Sequence, residues 1–385
     1  MKQIFFGAHV FDADTHTFLR QDVSVQNGRI ESVAPSIPDT DAPRIDCGGM
    51  YLIPGMIDVH THGRAGYDFT SVLPEHLDGM LADYAKAGTT TVFPTLASAP
   101  FAEWVSAVRK IAACGQKTHS GAYVPGMHLE GRYLSPARRG AHAAELLVSP
   151  SLDELHALMK ASTPSKIHIS LAPELPGSGD FIKEAVRLGA TVGIAHTDCT
   201  YDEAMNAIAC GAAAFTHTFN CMSPLHHRNP GCVGAALLCD TAYAEIICDG
   251  LHAHPAVIQL LGRAKQADKL VLITDSMEAT GCGDGQYSIA GLPVIVKDGR
   301  AVTIEGALAG STLTLFDGMV NYMRFAGASL EDVIPLATEN PARMTGIYDT
   351  VGSITPGKRA DMILLDDPAD PKIRSVVCGG TILNH

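Results

Sequence analysis

Residues 54–63 read PGMIDVHTHG, an apolar run that ends in two histidines separated by one residue. The run is short, follows a Pro-Gly pair and contains Ile and Val, which is typical of a buried β-strand. Because alternate residues of a strand point to the same face, His60 and His62 project together where it ends. This stretch predicts a strand that carries two imidazoles to one place.

Seven more β-prone runs follow, alternating with helix-like segments to about residue 345. Such alternation indicates βαβ units and a parallel sheet, and eight units over roughly 250 residues or more close into a barrel. The predicted fold class is therefore α/β, a (β/α)8 TIM barrel. Its predicted strands are 55–59, 90–93, 123–129, 167–171, 191–195, 213–216, 243–248 and 270–274. Its predicted helices include 75–87, 103–113, 151–160, 181–189, 201–209 and 255–267.

Both ends of the chain have a different pattern, with short β-prone runs and no helices between them. Asn27-Gly28 separates two of these runs and predicts a tight hairpin. We expect the two ends to pair into one small β-sandwich domain. The predicted domains are residues 1–53 together with 346–385 for the sandwich, and residues 54–345 for the barrel.

The composition excludes several classes of partner. The net charge is −13, which argues against nucleic acid. No apolar run reaches the ~18 residues that span a bilayer, and no export signal is recognisable at the N-terminus, so we expect a cytoplasmic protein without a membrane partner. Ten cysteines without a C-x-x-C pair predict reduced thiols rather than a sulfur-bound zinc.

Residues able to bind a metal follow five of the predicted strands. In a parallel barrel, the C-terminal ends of the strands line the active face. Imidazole and carboxylate groups together suit zinc, iron and related divalent ions. The set exceeds what one catalytic ion needs, so we expect one or two ions per subunit, zinc or iron being favoured, with Glu130 as a bridge. The candidate ligands are His60, His62, Glu130, His196, His217 and Asp275.

Each of these residues also has a purely structural interpretation. A single histidine in a strand is more often a buried hydrogen-bonded group than a ligand, and Asp275 could cap the helix after strand 8. The combination of the H-x-H pair with a carboxylate and two imidazoles at later strand ends favours a metal site. A carboxylate beside such an ion is suited to act as a general base, which is the role we predict for Asp275.

The sequence resembles the N-acetylglucosamine-6-phosphate deacetylases of the amidohydrolase superfamily, from about Tyr51 to Asp366. Several motifs carry the resemblance. They are PGMIDVHTHG at 54–63, HLEGRY at 128–133, GAH at 140–142, IAHT at 194–197, THTFNCMSPLHHRNPG at 216–231, DGLH at 249–252, ITD at 273–275 and LAGS at 308–311.

The resemblance implies deacetylation of N-acetyl-D-glucosamine 6-phosphate in amino sugar catabolism. It implies that Glu130, His196 and His217 bind the metal common to the family, and that His60 and His62 bind a second one. Asp275 would be the catalytic acid and base, and His142 would polarise the acetyl carbonyl. The substrate phosphate would contact Asn220, the backbone of Cys221, Arg228 and His252, with Arg228 supplied by the neighbouring subunit of a homodimer.

Two departures from the family pattern bear on the site. Arg132 and Tyr133 follow the Glu-Gly pair, where a proline is common at the first position, and Cys221 stands where alanine is frequent. The first departure could alter the loop beside the metal or the sugar. Because the expected contact at Cys221 is through backbone, we expect little effect there.

Three alternatives stay open. Deacetylases acting on N-acetylgalactosamine 6-phosphate share most of these motifs. A cyclic-amide hydrolase is disfavoured, since those enzymes commonly bridge two metals with a modified lysine at the end of strand 4, whereas Lys166 begins that strand. A non-catalytic protein on the same barrel is disfavoured because none of the candidate ligands is missing.

Overall fold

The computed structural model describes residues 2–38, 41–116 and 121–384. Its N-terminal part forms five strands: β1 (Lys2–Asp12), β2 (Thr17–Gln26), β3 (Arg29–Ala34), β4 (Arg44–Asp46) and β5 (Tyr51–Pro54). Asn27 and Gly28 connect β2 to β3 with φ of 51° and 76°. Two successive positive φ angles define a type I′ turn, so the predicted hairpin is present.

A short antiparallel pair, β7 (Gly63–Arg64) and β8 (Tyr67–Asp68), follows the first strand of the barrel. The barrel strands themselves form one eight-stranded parallel sheet, in which each strand pairs with the next along the chain. They are β6 (Met56–Thr61), β9 (Thr89–Leu96), β10 (Gly126–Glu130), β11 (Lys166–Leu171), β12 (Thr191–Ile194), β13 (Ala214–Phe215), β14 (Tyr243–Ile247) and β15 (Leu270–Ile273).

The sheet closes where the eighth strand meets the first. Thr61 and Ser276 form a parallel bridge. The amide of Asp275 donates to the carbonyl of His60 at 2.9 Å, and the amide of His62 donates to the carbonyl of Ser276 at 2.7 Å. The (β/α)8 barrel predicted from the sequence is thus confirmed, with each of its eight predicted strands present to within a few residues.

The helices lie between the strands, and the apolar cluster between the two layers forms the largest core. They are α1 (Pro74–Lys86), α2 (Phe101–Gly115), α3 (Leu152–Ser162), α4 (Ser178–Arg187), α5 (Tyr201–Ala209), α6 (Gly231–Leu238), α7 (Pro255–Ala264), α8 (Leu315–Ala326), α9 (Leu330–Ala337) and α10 (Glu339–Met344). In the described part of the chain, no helix is long and apolar enough to cross a membrane.

The sequence patterns did not predict a three-stranded antiparallel sheet inserted after β15. Its strands are β16 (Gly285–Ile289), β17 (Leu292–Lys297) and β18 (Arg300–Thr303). Only a few of its side chains are buried, because a small sheet that covers a larger domain has a single protected face. This insertion lies at the carboxyl end of the barrel strands, where the sequence places the candidate metal ligands.

The C-terminal strands are β19 (Met362–Leu365), β20 (Ile373–Cys378) and β21 (Thr381–Asn384). They join the N-terminal strands in one continuous sheet through antiparallel pairing of β19 with β5. This sheet has its own apolar core, which includes Val23, Leu52 and Met362. Both chain ends therefore build one small β domain, as expected; its residue-level boundaries remain a prediction.

Candidate active site

The polar residues predicted from the strand ends all lie at the carboxyl mouth of the barrel. His60 and His62 are at the end of β6, and Glu130 is the last residue of β10. Three others follow their strands with a positive φ that is uncommon for residues other than glycine: 42° at His196, 32° at His217 and 50° at Asp275. The chain leaves each of these strands through a sharp turn at the very residue that faces the site.

Glu130 lies at the centre of the group, and its two oxygens face different histidines. Oε2 is 2.9 Å from Nε2 of His62 and 3.1 Å from Nε2 of His60. Oε1 is 3.0 Å from Nε2 of His217 and 3.4 Å from Nε2 of His196. A carboxylate with one oxygen toward each pair of imidazoles has the arrangement that a bridge between two cations requires.

The donor atoms fit a divalent cation. The Nε2 atoms of His196 and His217 face each other 3.0 Å apart. Two imidazole lone pairs at that distance repel unless a proton or a metal lies between them. Nδ1 of His196 donates to the carbonyl of Arg138 at 2.9 Å, which leaves its Nε2 free as a ligand. Four imidazole nitrogens and carboxylate oxygens suit zinc or iron.

Asp275 completes the arrangement on the side of the H-x-H pair. Its Oδ1 is 3.3 Å from Nε2 of His62 and 3.4 Å from Nε2 of His60. Burial opposes ionisation, but the charges of His60 and His62 hold the pKa of Asp275 below its usual range, near 2. The same mutual attraction raises the pKa of His60 against burial and lowers that of Glu130. A site that stabilises positive charge so strongly is suited to a metal ion.

His142 lies beside this group, buried, with its ring 4.9 Å from that of His196. One of its ring nitrogens lies within 4.8 Å of side-chain atoms of Glu130 and His196 that could bind an ion. Burial, together with the charge of His196, lowers the pKa of His142 to about 3, so the ring is neutral at physiological pH. Its Nδ1 is 2.8 Å from Oγ of Ser98, a residue that the sequence patterns did not single out.

The residues expected to hold a phosphate are only partly brought together. Asn220, Cys221 and His252 line the same cavity of about 230 Å³ as five of the six candidate metal ligands, all but His60. Phe219 and Cys221 have positive φ on either side of Asn220. Alternation of this kind turns successive amides toward one side and favours an anion. Arg228 is different: it is exposed and lines a neighbouring cavity of about 680 Å³, outside the site of its own chain.

His252 has a carboxylate partner. Its Nδ1 is 2.6 Å from Oδ2 of Asp249, whose other oxygen accepts from the backbone amide of His252 at 2.8 Å. Burial would lower the pKa of His252, but the hydrogen bond and charge of Asp249 raise it above its ordinary value. The imidazolium form of His252 is therefore stabilised, which suits a phosphate partner.

The side chains of Arg132 and Tyr133, the residues that depart from the family pattern, point away from the site. Arg132 has φ of 62°, and its guanidinium pairs with Glu154 of α3 at 2.6 Å. The hydroxyl of Tyr133 donates to the same carboxylate at 2.8 Å. Both side chains hold the loop after β10 against α3, and the positive φ of Arg132 is one that a proline could not adopt.

The inserted sheet narrows the cavity from above. Ile289 at the end of β16 lines the cavity, as do Ala307, Leu308 and Gly310 in the loop after β18. The motif LAGS at 308–311 is one of the family motifs in the sequence, but the three strands that precede it were not predicted. The insertion gives an otherwise polar site one apolar wall, which is suited to a sugar face or a methyl group.

A closed barrel whose strand ends converge on imidazoles and carboxylates is the architecture of a metal-dependent hydrolase. The sequence profile of the Amidohydrolase family matches residues 51–383, and the chain belongs to that family. Within it, the chain belongs with the deacetylases of N-acetylated amino sugar phosphates, as the relatives below show. The resemblance inferred from the motifs is confirmed.

Two relatives illustrate the similarity. The N-acetylgalactosamine-6-phosphate deacetylase of Escherichia coli O157:H7 is 36% identical over 337 residues, covering 88% of this chain and 87% of that protein. The N-acetylglucosamine-6-phosphate deacetylase of Vibrio furnissii is 36% identical over 338 residues, covering 88% of this chain and 84% of that protein.

Solved structures agree. The N-acetylglucosamine-6-phosphate deacetylase of Pasteurella multocida superposes with a TM-score of 0.91 at 28% identity, covering all of both chains. A mutant of the Mycobacterium smegmatis enzyme in complex with N-acetyl-D-glucosamine-6-phosphate also gives 0.91 at 28% identity, covering 100% of this chain and 99% of that one.

Proposed function

We propose that this protein hydrolyses the acetamide of N-acetyl-D-glucosamine 6-phosphate, releasing acetate and D-glucosamine 6-phosphate. The observation that carries the proposal is the single cavity lined by Glu130, His142, Asp275, Asn220 and His252. It places groups suited to a metal, to proton transfer and to an anion side by side. The named activities of relatives at 36% identity support the same reaction.

Two metal ions would be held by two sets of ligands that share Glu130. One ion would be held by Glu130, His196 and His217, and a second by His60, His62, Glu130 and Asp275. Zinc or iron suits these nitrogen and oxygen donors best. When bound, the metal supplies a Lewis acid that acidifies water and polarises the acetyl carbonyl.

The protein's own groups would carry the protons. Asp275 is ionised, since its pKa is held low, and it can accept a proton from the water that attacks the carbonyl carbon. The same carboxyl then returns this proton to the amine as the carbon–nitrogen bond breaks. His142 is neutral and can donate a hydrogen bond to the carbonyl oxygen, which becomes negative during attack.

The phosphate would bind in the same cavity as the metal, at the residues that do not bind the ion. The turn offers the backbone amide of Cys221, since that of Asn220 donates to the carbonyl of His217, and His252 offers an imidazole whose cationic form is stabilised. We propose that Arg228, which is exposed and outside its own cavity, completes the phosphate site of a neighbouring subunit in a homodimer. Arginine suits this role because its planar guanidinium binds phosphate with two hydrogen bonds.

We propose the cytoplasm as the compartment. Most of the ten cysteines are buried, and no disulfide joins any two of them among the described residues, which is the cysteine usage that reducing conditions favour. A cyclic-amide hydrolase stays disfavoured, because Lys166 is exposed at the first residue of β11, at the end of the barrel remote from the site.

The second candidate substrate is N-acetylgalactosamine 6-phosphate, which the Escherichia coli relative is named for. The deciding experiment measures the amine released from both epimers, side by side, by enzyme of known metal content. We expect turnover of both, with a higher kcat/KM for the glucosamine epimer. A higher kcat/KM for the galactosamine epimer would make that sugar the preferred substrate. No turnover of either epimer by metal-loaded enzyme would refute the deacetylase proposal.

A further inference from the structure

Glu245 is a fully buried carboxylate in the middle of β14, inside the barrel and beneath the site. The interior of such barrels is usually filled by branched apolar side chains. An isolated buried carboxylate costs several kcal/mol unless charged or polar partners compensate for lost water. A charge at this depth therefore needs a function that an apolar residue could not supply.

Two imidazoles flank this carboxylate. Oε2 of Glu245 is 3.5 Å from Nδ1 of His60, and Oε1 is 3.2 Å from Nε2 of His168. His60 and His168 are themselves fully buried. Both contacts are at ion-pair distance but outside the geometry of a direct hydrogen bond. In the described part of the chain, these two side chains are the ion-pair partners of Glu245.

The tautomer of His60 connects this pair to the metal site. Nε2 of His60 faces Glu130 at 3.1 Å and Asp275 at 3.4 Å, so Nε2 must carry the lone pair that would bind an ion. The proton then belongs on Nδ1, where it needs an acceptor. Glu245 is the carboxylate that faces that atom, with its Oε2 3.5 Å away.

The neighbouring ligands do not have such a carboxylate. Nδ1 of His196 has a backbone carbonyl as its partner. Among the described residues, Nδ1 of His62 and of His217 has no hydrogen-bond partner, and the carboxylates that pair with these two rings face Nε2 instead. Glu245 therefore acts on one ligand of the H-x-H pair specifically, and not on the whole cluster.

We propose that Glu245 is a positioning residue for the second metal: it holds the proton of His60 on Nδ1, so that Nε2 is presented to the ion shared with His62. His168 holds the other oxygen of the carboxylate and fixes its direction. This inference rests on the proposed role of His60 as a ligand. Partners of this kind behind a metal-bound imidazole commonly change metal affinity by about 10- to 100-fold.

The test measures metal binding by full-length enzyme stripped with a chelator and then titrated with zinc. We expect two ions per wild-type subunit. Glu245→Gln, which keeps the shape but removes the charge, should bind the second ion about 10- to 100-fold more weakly and the first one normally. Glu339→Gln is the matched control, since Glu339 is also buried but lies at the start of α10.

A second variant keeps the test decisive if Glu245→Gln does not fold. Glu245→Asp retains the charge but moves it away from His60, so it should also weaken the binding of the second ion. Wild-type affinity for both ions in a folded variant would overturn the proposal. His60→Asn separates the two hypotheses: if this variant still binds two ions, His60 is not a ligand, and the assignment of the second metal fails together with the role of Glu245.

Discussion

The hydroxyl oxygen of Ser98 lies 2.8 Å from Nδ1 of His142. The same oxygen accepts a hydrogen bond from the backbone amide of Arg132 at 3.2 Å. In the described chain, Nδ1 of His142 is the acceptor that the Ser98 hydroxyl reaches. Ser98 therefore donates to Nδ1, which places the ring proton on Nε2, the nitrogen that can donate to a carbonyl oxygen.

Removing this hydroxyl should weaken catalysis without weakening binding. A hydrogen bond of this type contributes about 0.5–1.5 kcal/mol, so Ser98→Ala should lower kcat roughly 2- to 13-fold and leave KM almost unchanged. Steady-state kinetics measure both. Ser178→Ala is the control, since it removes a buried hydroxyl that donates to a backbone carbonyl away from the site. A raised KM with normal kcat would contradict the proposed orientation of His142.

Asp275→Asn should abolish proton transfer. The amide cannot accept a proton from water, so kcat should fall by about 10²- to 10⁴-fold. Metal content, measured by elemental analysis, should stay at one ion per subunit or more, because Glu130, His196 and His217 remain. Asp361→Asn, at a buried carboxylate in the terminal β domain, should lower stability but not kcat. Near-normal turnover by metal-loaded Asp275→Asn would eliminate Asp275 as the catalytic base.

The affinity for substrate should depend on the charge of His252. Because Asp249 raises the pKa of His252, the imidazolium is retained to a higher pH than in a free histidine, and KM should rise as pH increases through that raised value. The ion pair between Asp249 and His252 also stabilises the folded protein. This contribution is complete below the ordinary pKa of histidine and is lost as the pH rises through the raised pKa.

His252→Gln provides the comparison. A hydrogen bond to a charged group contributes about 1.5–3 kcal/mol, so KM for this variant should be roughly 10- to 100-fold higher and nearly independent of pH between about 7 and 9. That interval avoids the titration of the phosphate, whose second pKa is about 6. A variant that retains the wild-type rise of KM with pH would show that another group is responsible.

Arg228 should act across a subunit interface. Arg228→Ala and Asp275→Asn should each be poorly active alone. In a mixed dimer, the subunit that carries Arg228→Ala keeps Asp275 and receives Arg228 from its partner, so co-expression should restore activity at one of the two sites of each mixed dimer. The absence of complementation in mixed dimers that are shown to form would place Arg228 in its own active site or outside the mechanism.

Much of the architecture was predictable because it depends on local pattern. The alternation of apolar β runs with helical segments predicted eight barrel strands, and Asn27-Gly28 predicted a hairpin that the backbone forms. The candidate ligands were recognisable because the carboxyl ends of all parallel strands meet at one mouth. Residues at those ends must therefore be neighbours, whatever their separation in sequence.

Contacts across the barrel could be known only from the tertiary structure. Ser98, His168 and Glu245 carry no motif; their roles follow from distances to His142 and His60 that depend on the stagger of strands and on closure. The three-stranded insertion over the site was equally hidden, since its sparse burial leaves a weak alternating pattern.

The sequence by itself determined the order of the barrel strands and which chemical groups stand at their ends, because those properties are set by residues close in the chain. Only the tertiary structure decided which group faces which. It turned Arg132 toward Glu154 and away from the site, and it left Arg228 outside its own cavity. Side-chain direction and strand closure depend on packing between distant segments, which no local pattern records.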